Sequence, residues 1–190
     1  MLPAHGTMTT GTPPRTRGLR CAARSGVLLL LARVALSQPA LEPVDYPRLQ
    51  PFLPQRVAGF AAEPATGSSS SGMGFQVSEV ARTYRTGTAT AEQAVSVRIA
   101  DGAGNPFFLA AYAPVDPFTK ERPDGYDKAF TLDGYPATES YDRLRHAGRL
   151  SVLVAGHYVV EIGVVNLPSE TLHAWWKKID AKKLAALKVD

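Results

Sequence analysis

The 190-residue chain has one cysteine, Cys21, and two tryptophans, Trp175 and Trp176. A lone thiol closes no internal disulfide, so the fold must rest on its apolar core. His146, His157 and His173 share no metal-ligand spacing, and no cysteine stands near them to complete a site, so no metal is expected. Asp124-Gly125-Tyr126-Asp127 lacks the alternating oxygen ligands of a calcium loop. A G-x-S-x-G elbow, a Walker loop and a dinucleotide fingerprint are all missing, and no cofactor is expected. Val27–Ala32 is apolar but stops at Arg33, too short a run for an ordinary membrane span.

What the N-terminus does contain is the layout of a secretory leader. Arg15, Arg17, Arg20 and Arg24 precede the apolar run, and Ala35-Leu36-Ser37 offers small residues at the cleavage-determining positions. Residues 1–37 are therefore expected to be a signal peptide cut between Ser37 and Gln38, leaving 38–190 as a single domain in the periplasm or outside the cell. Cys21 lies ahead of the apolar run and is lost with the leader, so a lipid anchor on it is not expected. The formal charge of +4 belongs to the leader as well. Taking its five arginines from the 21 Lys+Arg leaves 16 against 17 Asp+Glu, a net of −1. A phosphate-binding field is absent from that remainder, which argues against a nucleic-acid role.

The apolar pattern predicts an α+β fold: an antiparallel meander sheet of about five to six strands packed by a C-terminal helix, with short N-terminal and mid-chain helices. Asp45-Tyr46-Pro47 reads as a helix entry that Pro51 and Pro54 cut short, with Leu49, Phe52 and Leu53 as anchors. Val57–Phe60 reads as a short extended piece. Residues 63–72, with four serines between Gly67 and Gly72, are expected to be a flexible Ser/Gly loop. Gly74–Thr86 and Gln93–Ala100 alternate as strands, and the second alternates more cleanly. Val115–Gly125, with two prolines and five charges, is expected to be a solvated loop. Tyr126–Leu132 and Pro136–Leu144 form a hairpin about Asp133-Gly134.

Arg149–Val165 is the spine of the predicted sheet. Ala155-Gly156-His157-Tyr158 suggests a two-residue turn that pairs Ala155 with Tyr158 and Val152 with Glu161. Both faces of this hairpin are largely apolar, so it should be central and covered on both sides, or nearly so. From Pro168 onward, Leu172, Trp175, Trp176 and Ile179 recur at helical spacing. Asp180 is suited to cap a second short helix, Ala181–Leu187, which brings Leu184 and Leu187 back to the core.

Three functional readings follow. Asn105-Pro106 opens a short helix, Phe107-Phe108-Leu109-Ala110-Ala111-Tyr112, apolar nearly all round. Phe107, Phe108, Leu109 and Tyr112 are thus the candidate binding residues, for an envelope protein or a small lipophilic ligand. The alternative is a periplasmic hydrolase-type enzyme using Glu161 and His157 with the Asp124/Asp127 loop. The third is a structural subunit that docks through the lysine-rich helix bearing Lys177, Lys178, Lys182, Lys183 and Lys188. The first of these, a non-enzymatic binding domain without assigned catalytic residues, is the leading expectation.

Four motifs carry a resemblance. They are Gly72-Met73-Gly74, Val97-Arg98-Ile99-Ala100-Asp101 running into Gly104-Asn105-Pro106, Val152-Leu153-Val154-Ala155-Gly156, and Ile179-Asp180 followed by Lys183-Leu184. Together they resemble a family of exported bacterial proteins of unknown function. The order of elements is similar to the PsbP/Mog1-like arrangement, which implies an antiparallel sheet with a long C-terminal helix. These motifs are turns and core strands and imply no activity.

Overall fold

The computed structural model describes residues 42–72, 75–86, 92–112, 114 and 116–187. The expected leader and its cleavage point lie outside the described residues, as do Met73-Gly74, Gly87-Thr88 and Lys188. The described chain is α+β and mostly antiparallel sheet, but the sheet has nine strands where five to six were expected. They are β1 (Ala61–Ala62), β2 (Thr66–Gly72), β3 (Phe75–Arg85), β4 (Ala94–Asp101), β5 (Phe118–Arg122), β6 (Gly125–Leu132), β7 (Tyr135–Asp142), β8 (Ala147–Val154) and β9 (Tyr158–Val165). The order across the sheet is β1-β3-β4-β9-β8-β7-β6-β5, with β2 also paired to β3. Four short α-helices accompany it: α1 (Tyr46–Leu49), α2 (Pro106–Leu109), α3 (Glu170–Trp176) and α4 (Ala181–Ala185).

Of the three additional strands, β1 is a two-residue piece, and β2 and β5 come from segments whose composition reads as loop. Strand β2 is most of the Ser/Gly stretch at 63–72, and all seven of its residues are exposed. It pairs with β3 from Thr66↔Ala81 to Gly72↔Phe75. Backbone N–H and C=O groups make that ladder, so serines can form it without any apolar side chain to bury. Strand β5 lies inside the Val115–Gly125 stretch expected to be solvated loop. Its Lys120 stands across from Asp127, and Arg122 bonds Asp127, so opposite charges join an edge strand to the sheet.

The spine hairpin shows a one-residue correction. Observed pairs are Val154↔Tyr158, Leu153↔Val159, Val152↔Val160 and Ser151↔Glu161. The turn at Val154–His157 closes with His157 N–H donating to Val154 O at 3.2 Å, and Ala155 and Gly156 both have positive φ. His157 is thus an extra residue between turn and strand. Its carbonyl accepts from Gly102 N–H at 3.2 Å and its ring meets Asp101, so the end of β4 holds it out of the ladder. The slip regroups the faces across the two strands. Leu150, Val152, Val154, Tyr158, Val160, Ile162 and Val164 now share the helix-side core with Leu172, Trp175, Trp176 and Leu184. Trp175 fits between Tyr84 and Phe60, with ring centroids at 4.5 and 5.2 Å.

The C-terminal helix pattern breaks where Asp180 stands, and its carboxylate caps α4 by accepting from Lys183 N–H at 2.9 Å. Two short helices replace the long one that the PsbP/Mog1-like order implies. At the α1 entry Asp45 makes no side-chain cap bond, and its carbonyl accepts from Arg48 N–H instead. The other sheet face departs from the expected cover on both sides. Among the described residues, α2 is the helix packed there, where Leu109 meets Leu153 and Val159. The rest of that face carries small and charged residues such as Ser96, Arg98, Arg149, Glu161 and Gly163.

Candidate functional site

The four candidate binding residues divide by role. Asn105 caps α2, its Oδ1 accepting from Phe107 N–H at 2.9 Å and Phe108 N–H at 3.2 Å, and Pro106 sets the first turn. Leu109 is buried on the sheet against Leu153 and Val159. Phe108 covers Gly102 so closely that a methyl group there would lie 2.2 Å from its ring, and Tyr112 leans on it with centroids 5.5 Å apart. Phe107 alone points away from this base, 87% exposed. The result is one aromatic knob on a short element that is capped, proline-started and anchored to the sheet.

The residues of the hydrolase alternative do not converge. Glu161 faces the side of the sheet without α3 and α4 and is bound by arginines. Arg98 Nη1 donates to its Oε2 at 2.5 Å, and Arg149 Nη1 lies 3.6 Å from its Oε1. Arg98 also grips Glu79, with Nη2 at 2.5 Å and Nε at 2.8 Å. Burial works against the Arg98 charge, yet the hydrogen bonds it donates to the Glu79 and Glu161 carboxylates, with their charges, outweigh it and raise the pKa. Glu161, Arg98 and Arg149 line a groove of about 590 Å³ with Ser96, Ser140 and Gly163. His157 instead meets Asp101, Nδ1 to Oδ1 at 3.2 Å, on the helix side of the sheet. Asp101 also accepts from Val44 N–H and Ala103 N–H, both at 2.8 Å. It ties the N-terminal segment, the turn after β4 and the tip of the spine hairpin to one buried carboxylate. Asp124 and Asp127 both sit with Arg122.

A polar cluster that sequence reasoning missed surrounds Glu139, whose side chain is 1% exposed. It accepts from Tyr126 OH at 2.5 Å and meets His173 Nε2 at 2.6 Å and Lys128 Nζ at 3.0 Å. Lys128 stands directly opposite Glu139 in the β6–β7 ladder. His173 comes from α3 and stacks on Phe130, centroids 6.1 Å apart. Burial, then the bond to Glu139, pushes the Tyr126 phenol up to about 12. The carboxylate therefore clasps α3 to the sheet and gathers Tyr126, Lys128 and His173 about one acceptor. Part of this was available from the sequence. Asp133-Gly134, both with positive φ, makes a two-residue turn, and counting back from it puts Lys128 across from Glu139. The approach of His173 depends on how a helix lands on a sheet, and no local pattern gives that.

Among the described residues no group of three or more His, Cys, Asp or Glu side chains is placed to hold a metal ion. Among them, too, no helix is long and apolar enough to cross a membrane. The chain was compared with family models, curated proteins and solved structures, and none of them matches it.

Proposed function

We propose that the chain is an exported, non-enzymatic binding domain that engages a protein of the cell envelope through the Phe107 knob of α2. The observation that carries this reading is the contrast within one turn of helix. Phe107 is 87% exposed, while Leu109 beside it is 8% exposed and fixed to the sheet. An exposed aromatic on a backbone fixed by the Asn105 cap and by Leu109 has only side-chain rotamer freedom to lose on docking, and it fits the role of an anchor residue in a partner's cavity. The leader read at residues 1–37 supplies the compartment for this proposal.

The experiment compares the full chain with its Phe107→Ser variant, each immobilised as bait in envelope extract. Phe107 touches little of its own chain, so Phe107→Ser is expected to stay within about 0.5 kcal/mol of the parent in stability. A protein retained by the parent and lost from the variant at unchanged melting temperature supports the proposal. An identical set of captured proteins, or none, overturns it.

A further inference from the structure

We infer a second binding site, for a small amphipathic anion, in the cavity between the N-terminal segment and the α3–α4 corner. The cavity measures about 510 Å³, within the roughly 300–1,000 Å³ range of small-ligand sites. Its apolar lining comes from Pro51, Phe52 and Leu53 on one side and Leu187 on the other. Phe52 and Leu53 are themselves core residues, so this floor is as fixed as the sheet packing behind it. Lys178 and Lys183 stand at the same cavity, and both are exposed.

Those two lysines are the feature that specifies charge. The only lysine ion pair among the described residues is Lys128 with Glu139, so the Lys178 and Lys183 ammonium groups have no carboxylate partner there. Asp180, the acid at this cavity, caps Lys183 N–H and keeps its charge, so one acid faces two lysines and the rim stays net positive. Arg48 also lines the cavity and already has an interaction of its own. An apolar floor beneath a net-positive rim matches a ligand with one anionic head and an aliphatic body. The head would take Lys178 and Lys183, and the body would cover the Phe52–Leu187 side. The site shares no residue with the Phe107 knob. It also gives the lysines of the C-terminal helices a role other than docking to a protein.

The test titrates the full chain by calorimetry with decanoate below its aggregation concentration. Decyltrimethylammonium (the same tail with a cationic head) and acetate (the head alone) serve as comparison ligands. Saturable one-to-one binding of decanoate is expected, at least tenfold tighter than either comparison ligand. The K178E/K183E double variant is expected to lose at least tenfold in decanoate affinity while melting with the parent, because both side chains are exposed. On the parent itself, raising salt is expected to weaken decanoate and leave the cationic analogue unchanged or stronger, a readout that needs no variant. Absence of saturable decanoate binding overturns the inference. So does equal affinity for the two decyl ligands that neither salt nor the double variant changes. Phe107→Ser is expected to bind decanoate as the parent does, so this site and the proposed protein contact can fail separately.

Discussion

Tyr158 gives the fold a measurable alkaline limit. It is fully buried beside the hairpin tip, and its hydroxyl donates to Leu187 O at 3.1 Å, fastening the chain after α4 to the spine strand. Burial first, then the nearby Asp101 charge, raises its pKa from 10.0 to about 12, while Arg48 opposes the shift. The folded value lies above the unfolded one, so the unfolded chain loses this proton first as pH rises. The stability tied to the protonated phenol is whole below pH 10 and is lost as pH climbs through about 12. With those two values the loss is about 1.4 kcal/mol at pH 11 and approaches roughly 3 kcal/mol above pH 12. Tyr158→Phe keeps the ring and removes the titration. At pH 8 the variant should be less stable by about 1 kcal/mol, the usual net worth of one hydrogen bond. Urea unfolding of parent and variant at half-unit steps from pH 8 to 12 isolates the effect, because Tyr84, Tyr126 and Tyr141 titrate upward-shifted in both proteins. The gap between the two stability curves should shrink above pH 10 and change sign near pH 11. Parallel curves across that range would refute the burial argument for Tyr158.

Two further substitutions test other parts of the structure. Glu139→Ala removes the shared acceptor of Tyr126, His173 and Lys128. It should cost about 2–3 kcal/mol, with Glu139→Gln costing less, measured by denaturant unfolding; the former partners are partly exposed and regain water. An unaltered midpoint for Glu139→Ala would show that the clasp contributes nothing to holding α3. Gly125→Ala places a methyl group 2.1 Å from Tyr141 O, a backbone atom that cannot turn aside. A loss of about 2–3 kcal/mol in thermal or denaturant melts is expected from the forced separation of β6 and β7. A variant melting with the parent would mean that the two strands do not approach so closely.

Much of the architecture was legible from local pattern. The alternations of β3, β4 and β6–β9 identify strands because half-buried sheets impose a period of two. The Asp133-Gly134 turn fixes a hairpin because both its residues take positive φ, which that dipeptide tolerates. Strands β2 and β5 were hidden because edge pairing is made by backbone, and their exposed Ser/Gly and charged side chains carry no apolar signal. The spine turn lies one residue from its locally favoured register because His157 is drawn off by Asp101 and Gly102, partners 56 and 55 positions away in sequence.

The candidate sites divide in the same way. Sequence by itself determined that α2 exists, that it starts at Asn105-Pro106 and that its side chains are apolar. Cap chemistry and composition are local properties, and they suffice for that. Which of those side chains stays outside was decided only in three dimensions, when Leu109 found Leu153 and Val159, Phe108 lay over Gly102, and Phe107 was left 87% exposed. Likewise Lys178 and Lys183 were plain in the sequence as helix-face cations. Their meeting with Phe52 and Leu53, more than a hundred residues earlier, required the sheet to bring the two ends of the domain together. Burial and proximity are set by long-range packing, and that is why the sequence named the groups while the tertiary structure chose their roles.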